Sequence, residues 1–261
     1  MCLILLSYKT HPTYRLILAS NRDEFHNRPT MPLAFWEDKP DILAGRDLSG
    51  NGTWLGITRS GRLAGLTNFR EPERPITGAL SRGLLVSGFL DSHESPEGYL
   101  ARIGSMAHRY NGFNLLVGDA TGLYYYSNRE HGIREITPGI HGLSNHLLNT
   151  AWPKLEKGKR LFHDLVDNER DIDLESLFDM LNDRIHPPDD QLPDTGVGPY
   201  LEFICSPIFV TSEFYGTRSS SILLREHSGR TTFVERTFAL DGGIPKATDT
   251  RRVVFHSRFA Q

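Results

Sequence analysis

Cys2-Leu3-Ile4-Leu5-Leu6-Ser7-Tyr8 and Tyr14-Arg15-Leu16-Ile17-Leu18-Ala19-Ser20, joined by Lys9-Thr10-His11-Pro12-Thr13, open the chain and decide its fold class. Each apolar run is too short for a stable helix and is bounded by breakers, so a hairpin of two buried strands is the better reading. Four polar residues, Asn21-Arg22-Asp23-Glu24, follow the second run directly. They stand at a strand end, where the hairpin brings Cys2 close. Side chains alternate faces along a strand. Asn21 and Asp23 should therefore share one side, and Arg22 and Glu24 the other. Asp23 is expected to face Cys2, with Arg22 and Glu24 making structural contacts elsewhere.

Outward from this hairpin, residues 25–53 read as loop, with Pro29, Pro32, Pro40, Gly45, Gly50 and Gly52. Residues 54–58 and 62–68 flank Ser60-Gly61 as a second hairpin. A loop over 69–81 precedes helical patches at 82–91 and 96–109, with Pro96 suited to a first turn. Residues 113–118 and 123–127 form a strand meander. Leu155, Leu161, Phe162 and Leu165, then Leu174, Leu177, Phe178 and Leu181, give helical spacing over 153–166 and 173–184. A loop over 186–200 leads to strands at 204–210, 219–225, 231–237 and 252–256. Hairpins dominate, so antiparallel sheets layered with helix pairs are expected, an α+β class. No linker marks a boundary, and one domain over 1–261 is the expectation.

Composition excludes several functions. The chain has 261 residues, 38% hydrophobic and 23% charged, which is ordinary for a globular protein. A formal net charge of −3 argues against a dedicated nucleic-acid binder. No run approaches the roughly 20 apolar residues of a membrane span. Cys2 and Cys205 are too few for a disulfide framework. The N-terminus lacks a signal-peptide pattern and residues 258–261 carry no targeting signal, so a cytoplasmic protein is expected. Eleven histidines show no metal-helix spacing, and no built-in metal site is expected. A loosely carried haem needs only one axial ligand. Gly50-Asn51-Gly52-Thr53 reads as a tight turn entering a strand rather than a phosphate loop.

Cys2 is the most informative residue. Removal of Met1 would put a thiol nucleophile and an amine base on one residue, both titrating near working pH. Asn68, Asn145 and Arg218 stand at other ends of apolar segments. The cleft is expected to gather Cys2, Asp23, Asn68, Asn145 and Arg218. Cationic neighbours should lower the Cys2 pKa, while Cys205 should be buried and slow to react.

Cys2, Asn21-Arg22-Asp23-Glu24, Thr67-Asn68-Phe69-Arg70, Gly142-Leu143-Ser144-Asn145 and Tyr215-Gly216-Thr217-Arg218 resemble the NRDE family, also called the transport and Golgi organisation protein 2 family. That family is in turn similar to N-terminal-nucleophile hydrolases of the penicillin V acylase and choloylglycine hydrolase type. The resemblance implies an αββα sandwich of two antiparallel sheets flanked by helices. It also implies hydrolysis of a C–N amide-type bond in a small or acyl-containing molecule. Cys2 would attack, Asp23 would hold the amine, Asn68 and Asn145 would stabilise the oxyanion, and Arg218 would balance charge. Asn21, Arg22 and Arg70 would line the substrate. Those hydrolases carry an arginine before Asn-x-Asp, where this chain has Ser20. The alternative on the same fold is a non-catalytic protein that carries haem or an acyl chain, linked to secretory and Golgi organisation. No cofactor is required by the hydrolase reading.

Overall fold

Thirteen strands pair into two antiparallel sheets among the described residues of this computed structural model, which are 2–71, 76–167 and 171–257. Met1, on whose removal the amine base depends, lies outside them, as do 72–75 of the expected loop and the C-terminal residues 258–261. The expected hairpin is β1 (Cys2–Tyr8) and β2 (Tyr14–Phe25). The other sheet begins with β3 (Thr30–Phe35) and β4 (Ile42–Asp47), then β5 (Leu55–Thr58) and β6 (Leu63–Asn68). It continues through β7 (Phe113–Gly118), β8 (Leu123–Ser127) and β9 (Arg134–Glu135), so its seven strands lie in chain order. The hairpin sheet adds β10 (Gly139–Leu143) beside β1. Beside β2 it adds β11 (Tyr215–Glu226), β12 (Arg230–Asp241) and β13 (Ile244–His256).

Helices cover both outer faces. α1 (Gly83–Asp91) and α2 (Pro96–Met106) pack on the seven-stranded sheet. α3 (Pro153–Val166) and α4 (Leu174–Leu181) pack on the six-stranded one, and α5 (Pro199–Ile204) is a short helix in the connection to β11. The result is the expected αββα sandwich. Strand alternation builds it. Ile4, Leu6 and Leu18 face Leu43, Leu55 and Leu116 between the sheets. Leu3, Leu5 and Ile17 face Leu155, Phe162 and Leu177 of the helices. Burial on both faces explains why β1 reads as an unbroken apolar run.

Three expectations need correction. β2 does not stop at Ser20 but carries the polar tetrad within it, because β11 pairs along it from Tyr215↔Phe25 to Glu226↔Tyr14. Residues 25–53 hold β3 and β4, and Pro32 is tolerated because β3 is a sheet edge. Residues 204–210 are not a strand. α5 ends at Ile204, and Ile208, Phe209 and Val210 are apolar because they fill core space.

The turn read at 50–53 is present, with Asn51 in the left-handed region at φ 56°. Gly52 is required by a close approach. A Cβ there would collide with the backbone of Gly83 at the start of α1, where Thr53 N–H donates to the Gly83 carbonyl at 3.2 Å. This contact seats α1 beside the end of the sandwich where Cys2 lies.

Candidate functional site

The register of the first hairpin sets the site. Cys2 lies directly opposite Arg22, so the two share the face between the sheets. Asp23 follows one residue beyond this pair. Cys2, Arg22, Asp23 and Glu24 border a cavity of about 440 Å³, with Asn68 from the end of β6 and Arg82 ahead of α1. Arg28 and Asp47 form its rim through an ion pair at 2.6 Å. A larger groove, of about 560 Å³, runs along the outer side of α3 by Lys157 and His186 and contains none of the candidate residues.

Arg22 therefore belongs to the cleft rather than elsewhere. Its guanidinium lies 4.2 Å over the Trp54 ring, donates to the Thr30 hydroxyl at 3.3 Å and sits 3.9 Å from Glu24. It shares a strand face with Ser20, two residues earlier. Asp23 accepts the Thr217 hydroxyl at 2.7 Å through Oδ1. Burial pushes its carboxyl pKa up, while Lys154 and the Thr217 hydroxyl pull it down.

Asn145 stands behind the cleft. Its Nδ2 donates to the Asn68 carbonyl at 2.9 Å, and its own carbonyl accepts the Arg70 N–H at 2.7 Å. The Ser144 hydroxyl lies 3.2 Å from the Cys2 carbonyl oxygen. Asn145 thus positions Asn68 instead of lining the cavity itself, and Ser144 ties the β10 end to Cys2.

Asn21, Arg70 and Arg218 do not reach this cavity. Asn21 is fully buried on the helix side, donating to the Leu181 and Ile208 carbonyls and accepting the Ser220 hydroxyl at 2.6 Å. Its amide is saturated by the protein. Arg70 turns away into a buried ion pair with Glu202 beside Trp152. Arg218 is the extra residue of a β-bulge, where pairing steps from Thr217↔Asp23 to Ser219↔Arg22. The bulge aims it at the carbonyls of Phe25 and His26, at 2.9 and 2.8 Å.

The Cys2 thiol also departs from expectation. It is buried, and burial pushes its pKa up; Asp23 adds to this and Arg22 opposes it. Cys205 is buried and raised as well, as expected for that residue.

Two cations were missed in the sequence. Arg82 lines the cavity and donates to the Gly112 carbonyl at 2.9 Å. Lys154 is buried, donates to the Cys205 carbonyl at 3.0 Å and places its charge near Asp23 and Cys2. A signal for Lys154 existed: it shares the apolar stripe of α3 with Gly158 and Phe162, at helical spacing.

Among the described residues no helix is long and apolar enough to cross a membrane. The fold is similar to that of a Caenorhabditis elegans N-acylethanolamine-hydrolyzing acid amidase ortholog, at TM-score 0.50 and 9% identity. That likeness covers 85% of this chain and 92% of that one. It supports an N-terminal-nucleophile-hydrolase-like sandwich and no more. Sequence relatives are much nearer. The human Transport and Golgi organization protein 2 homolog is 40% identical over 257 residues, covering 90% of this chain and 92% of its own. The mouse homolog is 39% identical over 256 residues with the same coverage. The family model for Transport and Golgi organisation 2 matches residues 1–240, and with these relatives it establishes that the chain belongs to that family.

Proposed function

We propose that the chain is a cysteine N-terminal-nucleophile hydrolase that cleaves a C–N amide-type bond of a small or acyl-containing molecule in the cytoplasm. The observation that carries this reading is the meeting of Cys2, Arg22, Asp23 and Asn68 at one cavity. Once Met1 is removed, the Cys2 amine takes the thiol proton and the sulfur attacks the carbonyl carbon. The C–N bond breaks as the amine returns that proton to the leaving nitrogen, leaving a thioester on Cys2. Water then hydrolyses the thioester, with the same amine as base. Asp23 holds the amine, and the Asn68 amide donates to the oxyanion, a contribution of roughly 3 kcal/mol to barrier lowering. Asn145 fixes Asn68 through its carbonyl.

A second reading is carriage of haem or an acyl chain without chemistry. The raised Cys2 thiol favours it, since a neutral thiol is a poor nucleophile. One experiment separates the two. The intact mass of the purified protein is measured, and a panel of acyl aminocoumarin amides is assayed by fluorescence. The hydrolase reading expects loss of Met1 and release of aminocoumarin that Cys2→Ala abolishes. Retained Met1, or release that survives Cys2→Ala, overturns it. A haem Soret shift in a protein that releases nothing would favour carriage.

A further inference from the structure

On the other side of the Arg22–Trp54 stack lies a second cavity, of about 250 Å³. The inner faces of β2, β11 and β12 give it Arg22, Ser219 and Glu235, and the bulge adds Arg218. Apart from Arg22, none of these groups takes part in the chemistry above. Ser219 is 4% exposed, and its hydroxyl is directed at the Glu235 carboxyl, whose charged form it favours. Arg218 donates to backbone carbonyls, which solvate its guanidinium without cancelling the charge. Glu235 is 3% exposed, and its Oε1 accepts the Leu33 N–H at 2.7 Å.

We propose that this cavity binds a small carboxylate, held by the guanidiniums of Arg22 and Arg218 and by the Ser219 hydroxyl. The planar fork of a guanidinium matches a carboxylate. A monoanion fits better than a phosphate dianion, because Glu235 lies alongside and repels each added charge. The volume corresponds to about eight water-sized groups at ~30 Å³ each, which suits a short hydroxy acid and not a long chain.

Glu235 couples this binding to protons. Burial pushes its carboxyl up to about 7, opposed by the Leu33 N–H and by Arg22. The other charges facing it are Arg218 from β11 and, from β13, Arg251 and Asp249, which bond to each other at 2.9 Å. A carboxylate beside Glu235 favours its protonated form, so binding takes up a proton and weakens as pH rises.

The test is a ligand-observed NMR titration of the full chain with glycolate at pH 6, 7 and 8, with inorganic phosphate in parallel. Glycolate is expected to bind about tenfold more weakly at pH 8 than at pH 6. Over that interval the protonated fraction of an acid titrating near 7 falls from roughly nine tenths to one tenth. Glu235→Gln should bind at the pH 6 level throughout, and Ser219→Ala should bind several-fold more weakly with an unchanged melting temperature. Absence of glycolate binding at millimolar concentration overturns the proposal. So does tighter binding of phosphate, or a Ser219→Ala protein that binds glycolate as well as the parent. The readout involves no reaction, so it stands whether or not Cys2 is a nucleophile.

Discussion

Glu202→Leu is expected to lower the unfolding free energy by about 3–5 kcal/mol, because it leaves the Arg70 charge buried without its carboxylate. Both members of the pair are buried, Arg70 two residues past the end of β6 and Glu202 on α5. Glu202 also accepts the Thr195 N–H at 2.8 Å, so one side chain pins α5 and the preceding loop to the sandwich. α5 has only six residues and no side-chain N-cap, too little to hold itself in place. Urea denaturation at pH 7 reads the effect. The double change Arg70→Met with Glu202→Leu should recover much of the loss, since no isolated charge then remains inside. A single variant that loses less than about 1 kcal/mol would show that the pair is not anchoring this segment.

Asp23→Asn should leave the fold intact and lower kcat/KM for an amide substrate by about 10²–10⁴-fold. The replacement keeps the shape and the acceptor for the Thr217 hydroxyl. Burial already disfavours the charged carboxyl, so a neutral amide should not reduce stability. What disappears is the negative charge that would hold the Cys2 amine. The raised Asp23 pKa also sets a sign: its ionised, competent form is gained as pH rises, from above the ordinary aspartate range near ~3.9. The acid limb of the wild-type pH profile should therefore lie above that range and be absent from the residual activity of Asp23→Asn. Equal kcat/KM in the two proteins would remove Asp23 from the reaction.

The sandwich was legible because its central strands and its helices carry strong patterns. The α3 pattern predicts 153–166, and the helix occupies Pro153–Val166. β3 was hidden by a proline that an edge strand accepts, and β4 by Pro40 before it and Gly45 within it. Ile208-Phe209-Val210 misled because buried loop and buried strand share a composition. Within the site, the positions of Cys2, Asp23 and Asn68 were legible from their place at segment ends. The facing of Arg22 was not, because it depends on which β1 residue pairs with it. Nor was the diversion of Arg218, which needs a bulge that no local signal marks. The saturation of Asn21 depends on carbonyls from Leu181 and Ile208, more than 150 residues away.

That last feature gives substitutions in the four-letter motif two kinds of consequence. Asn21 is a seam where β2, the end of α4 and the segment before β11 are stitched together. A substitution there should act through abundance: the chain is made, opens more often, and is cleared, with a defect that deepens on warming. On the hydrolase reading, Asp23→Asn should instead leave normal amounts of an inactive protein. Two variants, one changed at Asn21 and one at Asp23, would then differ in response, since only the first defect can be eased by a ligand that stabilises the folded chain.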